Sequence, residues 1–247
     1  MPRLSRSTPP GASIPSVDQS VWLRADYEFA STFSYRQPEA SAQFAIGVPV
    51  PSPATVKLAL VDTAIRWSGR VAEGRRIFDM VKTWRVCVVP PPRLVRFRVF
   101  LKRLKPPHSS AGPGAPTVES TGVRDYFLLD GLLSVFIEVP PSSVEEIRSL
   151  LQRIRRFGTS DSLCWCLEVR EEAPDTRLCP QLLSSAAANG QGGLAVLLTD
   201  LTAQSDFEGF NPFGGRAVLA RLHKDVYVLP LAVRRSGETW AVLERRL

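Results

Sequence analysis

Apolar and polar residues alternate along Val21-Trp22-Leu23-Arg24-Ala25-Asp26-Tyr27-Glu28-Phe29, the period of a half-buried strand. Residues 33–38 and the stretch running on to 53 read as a loop, stiffened at its end by Pro49, Pro51 and Pro53. Ser52 then stands as a helix N-cap and Pro53 as the first helical residue. Residues 54–67 follow a helical period, with Val56, Leu60, Ala64 and Trp67 on one stripe. A second, short helix is expected over 73–82 and a strand over 84–89, broken by Pro90-Pro91-Pro92. Residues 94–101 form a strand with arginines at alternate places, and 105–123, rich in Pro, Gly and Ser, a mobile loop. Residues 125–139 read as one long apolar strand, bent at Asp130-Gly131. Ser142 and Ser143 before Glu145 and Glu146 open a helix to about residue 157, with Ile147, Leu150, Leu151 and Ile154 on one face. Residues 163–169 are another strand.

The order strand, helix, strand, strand, strand, helix, strand is close to a ferredoxin-like (RNA-recognition-motif) arrangement with an inserted hairpin. The fold class expected is therefore α+β. A flexible tail occupies 1–20, the ferredoxin-like domain 21–175, and a smaller β-rich region 176–247. That last region has short strands at 194–201, 217–222, 225–233 and 239–244, punctuated by Gly190, Gly192, Gly193, Gly209, Gly214 and Gly215.

The chain has 247 residues and a formal charge of +7, a modest excess that favours a polyanionic partner. The Pro- and Ser-rich first 20 residues lack the apolar core of a signal peptide, and no apolar run reaches transmembrane length. A cytoplasmic protein with no membrane contact is expected. Cys87, Cys164, Cys166 and Cys179 form no CxxC pair, and the histidines are His108 and His223 only. Buried free thiols are expected, with no disulfide framework, no metal and no cofactor.

Charge is unevenly placed. Arg85, Arg93, Arg96, Arg98, Lys102 and Arg103 lie between Lys82 and Lys105 with no acidic residue among them. Arg96 and Arg98 share a strand face, where a row of cations would track a phosphate backbone. A solvated edge strand would carry the same charges. Arg148, Arg153, Arg155 and Arg156 run into the hydroxyl-rich turn Gly158-Thr159-Ser160-Asp161-Ser162. Such cations suit a helix C-terminus, and the hydroxyls suit phosphate oxygens. Tyr35-Arg36, with Ser52 and Lys57 at the next helix start, could stack on an unpaired base and hold an anion, or be an ordinary surface loop.

An enzyme finds little support. There is no Walker loop, dinucleotide fingerprint, GxSxG or HExxH. His108, beside Lys102 and Lys105, is the one candidate acid or base for a metal-independent ribonuclease; a loop histidine is more often solvated. His223, with Lys224 and Asp225 at an expected hairpin turn, reads as structural.

Several segments together resemble the fifth family of CRISPR-associated proteins, within the repeat-associated mysterious protein (RAMP) superfamily. Phe33-Ser34-Tyr35-Arg36-Gln37-Pro38, followed by Val50-Pro51-Ser52-Pro53-Ala54-Thr55-Val56-Lys57-Leu58-Ala59-Leu60, resembles the family's F-R-x-P … P-P-S-T-L-x-G-A-L opening. Arg124-Asp125-Tyr126-Phe127-Leu128 resembles R-E-Y-L, with Asp125 in place of Glu. Phe157-Gly158-Thr159-Ser160-Asp161-Ser162 resembles the G-x-x-x-S turn. Ala59 and Val61 stand where a helix glycine is common. The match covers residues 21–170.

The resemblance implies a structural, non-catalytic subunit of a type I Cascade surveillance complex in antiviral defence. It would bind the 5′ handle of the guide RNA (crRNA), contact the backbone and large subunits, and meet target DNA only through the complex. By position, 93–124 would be the hairpin thumb that folds over the guide. The RNA-contacting residues expected are Tyr35, Arg36, Ser52, Lys57, Arg96, Arg98, Lys102, Arg103, Lys105, Arg124, Arg155, Arg156, Ser160 and Ser162. Processing of CRISPR repeat RNA by a metal-independent endoribonuclease is the alternative, with His108 as its candidate residue.

Overall fold

The computed structural model describes residues 20–37, 40–41, 44–105, 117–160, 162–190, 192–211 and 221–246. The side chains of Arg103 and Lys105, and His108, Asp161, Gly214 and Gly215 entirely, lie outside the described residues. So do the expected tail, up to residue 19, and most of the expected strand 217–222. In chain order the strands and helices are β1 (Val21–Phe29), β2 (Thr32–Phe33), β3 (Phe44–Ala45), α1 (Pro53–Ser68), α2 (Val71–Val81), β4 (Val86–Val89), β5 (Arg93–Lys105), β6 (Val118–Asp130), β7 (Leu133–Val139), α3 (Val144–Arg153), β8 (Cys164–Glu171), β9 (Gln181–Leu182), α4 (Leu183–Ala188), β10 (Leu194–Asp200), β11 (His223–Leu229), β12 (Leu231–Ser236) and β13 (Trp240–Arg245). The fold is α+β, as the pattern predicts.

The first sheet has the order β4-β7-β1-β8, with every neighbour antiparallel. Leu23, Ala25 and Tyr27 of β1 point to one face and are fully buried there. Helices α1 and α3 pack on this sheet and on each other. Burying side chains of this size stabilises by about 1.5–3 kcal/mol each, and the Tyr27 hydroxyl is satisfied by the Leu151 carbonyl at 2.8 Å. On β1 the buried Asp26 carboxylate holds Arg24 (2.9 Å), Arg170 (3.0 Å) and the Ser134 hydroxyl (2.6 Å). A buried charge is tolerable only when so paired.

Residues 118–139 are two strands in two sheets, where one bent strand was expected. β6 and β7 part at Gly131, whose φ of +112° no residue with a Cβ adopts readily. β6 instead pairs with β5 over 13 residue pairs, from Arg93↔Asp130 to Lys105↔Val118. The loop expected over 105–123 is thus strand from Val118 onward. Its polar and glycine-containing start, Glu119 to Gly122, is carried by the ladder hydrogen bonds. The sheet continues in the order β12-β13-β5-β6-β2, with β3 parallel to β6. The C-terminal strands therefore extend the sheet of the hairpin: β13 pairs with β5 from Glu244↔Arg93 to Trp240↔Phe97. A third sheet, β10-β11-β9, lies beside α1.

Five further expectations are corrected. α3 ends at Arg153 rather than near 157, because Ile154 is extended and Arg156 bridges Leu163. Ser143 precedes α3 but leaves it uncapped; its hydroxyl faces the Met80 sulfur, and residues 141–143 form a 3-10 turn. The strand expected over 225–233 divides at Pro230 into β11 and β12, and His223 opens β11 instead of sitting in a turn. Cys87 and Cys179 are bonded as a disulfide between β4 and the stretch before β9. Only Cys164 and Cys166 are the free thiols expected, and Cys164 is buried.

Candidate nucleic-acid interface

Three of the four segments that carry the family resemblance, far apart in sequence, meet at one residue, Ser34. Its amide donates to the Ser162 hydroxyl (3.0 Å), and its carbonyl accepts from Thr159 (3.0 Å) and Ser162 (3.3 Å). Its own hydroxyl donates to the Asp125 carbonyl (3.0 Å). Phe33 is buried between Phe29, Phe127 and Tyr35, which locks the chain on either side of Ser34. Gly158, at φ +74°, brings its turn against the Tyr35 ring and Thr55 of α1. The loop, the β6 segment and the 157–162 turn are thus one knot of packed rings and hydrogen bonds, and the α1 start packs against it at Thr55.

A second tie holds the loop to the hairpin. Asp125 is fully buried; its carboxylate accepts from Arg98 Nε at 3.0 Å and from the Gly47 amide at 3.2 Å. A Cβ at Gly47 would lie 2.6 Å from the Phe127 ring and 2.9 Å from Asp125 Cβ, so only glycine lets the strand-like return of the loop come this close. The Arg98 guanidinium also lies 4.9 Å from the centre of the Phe44 ring.

Beside the knot a groove of about 610 Å³ opens between α1, the 156–158 turn and the 207–211 turn. Tyr35, Arg156 and Gly158 form one wall, Leu58, Ala59, Asp62 and Ile65 the floor, and Phe207, Phe210 and Asn211 the other wall. Beside it lies a second depression of about 400 Å³ that shares Ala59, Asp62, Arg66 and Arg156 and adds Thr63, Trp67, Arg153, Arg155 and Leu163. Cations outnumber carboxylates here: Asp62 is bonded by Arg66 (2.8 Å) and lies 3.6 Å from Arg156.

The expected contact residues divide between surface and interior. Arg36, Arg155 and Ser160 are exposed, and Tyr35, Arg124 and Arg156 are half-exposed. Ser162 is buried in the knot. Ser52 does precede α1 in an extended conformation, yet its hydroxyl is buried and makes no hydrogen bond among the described residues. Lys57 is buried, its ammonium donating to Asp200 of β10 (2.7 Å) and the Lys82 carbonyl (3.1 Å). Burial pulls the Lys57 pKa down against the opposing pull of Asp200, and burial pushes Asp200 up. The pair ties α1 to the third sheet.

The acid-free run between Lys82 and Lys105 is acid-free in sequence only. β6 places Asp130 on Arg93 (2.7 Å), Asp125 on Arg98, and Glu119 on Lys102 (2.8 Å). Glu138 of β7 lies 3.1 Å from Arg85. Arg96 is half-buried, and its Nε has no hydrogen-bond partner among the described residues. His223 is bonded to Asp225 at 2.6 Å.

Reading the sequence missed Arg66, Asp62, Phe207, Phe210 and Asp200, and placed Trp67 in the core. Trp67 does fall on the core stripe of α1. The buried part of that stripe ends at Ala64, one turn earlier, and Trp67 is 70% exposed. Arg153 lies over its ring at 4.1 Å.

Compared with curated proteins, the chain is 30% identical over 228 residues to the CRISPR-associated protein Cas5 of Archaeoglobus fulgidus, covering 90% of this chain and 98% of that one. The chain belongs to the Cas5 family. This is the RAMP-type CRISPR-associated family that its motifs resemble. No protein-family model matches the Cas5 chain described here. Among solved structures it is similar to a CRISPR protein from Archaeoglobus fulgidus (13% identity, TM-score 0.45, covering 91% of this chain and 92% of that one). It is also similar to a chain of a type III-B Cmr-beta assembly bound to cognate target RNA and AMPPnP (9% identity, TM-score 0.44, 90% and 86% covered). Among the described residues of this Cas5 protein no helix is long and apolar enough to cross a membrane.

Proposed function

We propose that this Cas5 chain binds the 5′ handle of a guide RNA as a non-catalytic subunit of a type I Cascade complex, beside the backbone and large subunits. The observation that carries the reading is the knot at Ser34. It fixes Tyr35 and Arg156 on one wall of a cationic groove, with Arg36 exposed next to it. An aromatic ring and guanidinium groups on a rigid support are what an unpaired RNA strand needs: stacking for bases, charge for phosphates.

In this reading the β4-β7-β1-β8 sheet with α1 and α3 is the ferredoxin-like unit, and the β5–β6 hairpin is the thumb. Tyr35, Arg36, Arg124, Arg155, Arg156 and Ser160 touch RNA. Lys102 meets the guide along the outer hairpin, and Arg96 and Arg98 support its base. Lys57 and Ser162 act from inside, Lys57 by tying α1 to β10 and Ser162 by holding the 157–162 turn to Ser34, while Ser52 stands at the start of α1.

Fluorescence anisotropy with a labelled RNA carrying the repeat-derived handle tests this. Binding should fall steeply with salt, by about 0.7 in log K per log salt for each phosphate neutralised on a single strand. Y35A/R156E should weaken it by more than tenfold. Equal affinity for the handle and a scrambled RNA of the same length, or no effect of the double substitution, would remove the proposal.

A further inference from the structure

We infer that the groove continues along α1 to a second RNA station, where an unpaired base stacks on the exposed side of the Trp67–Arg153 pair. The inference rests on the guide-RNA reading and extends it to residues that reading does not use.

A tryptophan 70% exposed is an unusual residue to leave in water, although one exposed apolar side chain alone means little. Here three further features converge on it. Arg153 is already laid over the indole at 4.1 Å, and its guanidinium is held there by the Ser149 carbonyl at 2.6 Å and the Ser149 hydroxyl. The indole and the guanidinium are therefore a stacked pair built before any ligand arrives, and most of the tryptophan still faces solvent. The depression containing it is walled by Arg66, Arg153, Arg155 and Arg156 against the single carboxylate of Asp62. Such a site fits an anionic partner. Finally, the depression shares Ala59, Asp62, Arg66 and Arg156 with the groove at Tyr35.

Helix geometry sets the length of the path. Thr55, at the Tyr35 end, and Trp67 are both on α1, and twelve residues at 1.5 Å each span about 18 Å. At about 3.4 Å per stacked nucleotide this is room for about five. Between the two aromatic stations Arg66 and Arg156 sit at the join, where the intervening phosphates would pass. An acidic protein segment would meet the same charge. The planar pair of indole and guanidinium with an apolar floor at Ala59 favours a base, whose two faces are π surfaces.

The test uses the full chain and single-stranded RNA oligonucleotides carrying the handle, with 5-iodouridine at one position at a time. Cross-linked peptides are mapped by mass spectrometry and affinities measured for W67A and W67F. The expected result is a cross-link to Trp67 from one position, about five nucleotides from the position that reaches Tyr35. W67A should bind about tenfold more weakly, and W67F within about twofold of the parent. If Y35A/R156E abolishes binding while W67A binds as the parent does and no position reaches Trp67, the second station is overturned and the handle reading stands. If no variant, nor the parent, binds RNA above a scrambled control, both fall together. If W67A spares RNA binding and instead weakens co-purification with a protein subunit, the depression is a protein interface and the inference is wrong.

Discussion

Replacing Asp200 by Asn separates the two readings of Lys57 more cleanly than replacing the lysine itself. Only 1% of the Lys57 side-chain surface is exposed, and among the described residues Asp200, at 2.7 Å, is the one carboxylate that pairs with it; its other partner is the Lys82 carbonyl. D200N leaves an ammonium in the interior with neutral acceptors only, and removing one partner of a buried pair destabilises by about 3–5 kcal/mol. A chain of this size shifts by about 2–4 °C per kcal/mol, so the melting temperature should drop by about 10 °C. K57M, which leaves a part-exposed carboxylate able to reach water, should cost much less, and D200N/K57M should recover most of the loss. The pH dependence has a definite sign. Burial holds the folded pKa of Lys57 below the ordinary lysine value, so between those two values the unfolded chain binds more protons. Stability of D200N should therefore rise as pH climbs toward about 10.4, where that gain is complete. Thermal melts of the three variants, with RNA anisotropy on K57M, check this. A D200N melt within a degree or two of the parent, or a double variant no better than D200N, would refute the buried-pair account. A K57M variant that folds but loses RNA binding would return Lys57 to the interface.

Other outcomes follow from the same packing. G47A should destabilise by about 1–3 kcal/mol, because its Cβ meets Phe127 and Asp125 at under 3.0 Å; a neutral urea midpoint would contradict that contact. C179S, which opens a link spanning 92 residues, should lower stability by about 4–5 kcal/mol in the loop-entropy model, and adding reductant to the parent should do the same. The Cys164 thiol is pushed up to about 12 and Cys166 to about 11, both chiefly by burial, so iodoacetamide at pH 8 should label neither quickly until urea unfolds the chain.

Much of the fold could be read from local pattern because local pattern causes it. The alternation in β1, the Pro-started α1 and the stripe of α3 each bury the face their period predicts. What could not be read depends on pairing at long range. Nothing near Arg93, Arg98 or Lys102 in sequence announces that β6 will set Asp130, Asp125 and Glu119 beside them. An acid-free run was therefore mistaken for an unpaired one. Lys57 lost its surface role for the same reason: its counterion arrives 143 residues later, on β10. Cys87 and Cys179 show no spacing that marks a pair, and only the fold brings their Cα atoms to 5.9 Å. Trp67 fits the core period by angle, but periodicity does not say where along a helix the core stops. The motif segments fared differently, since each is short and the knot at Ser34 needs their backbones and hydroxyls in particular. They were legible as a resemblance, and the hydrogen bonds give that resemblance its physical reason.

The central claim is that the groove beside this knot holds the handle of a guide RNA. Tagged full-length chain, co-expressed with its neighbouring subunits and a CRISPR array, can be purified after nuclease trimming and its RNA sequenced. The account predicts guide RNAs with a uniform, protected repeat-derived 5′ end, lost in Y35A/R156E while the folded protein is still recovered. Purification without RNA, or with guides whose 5′ ends are ragged and unaffected by the substitutions, would contradict it.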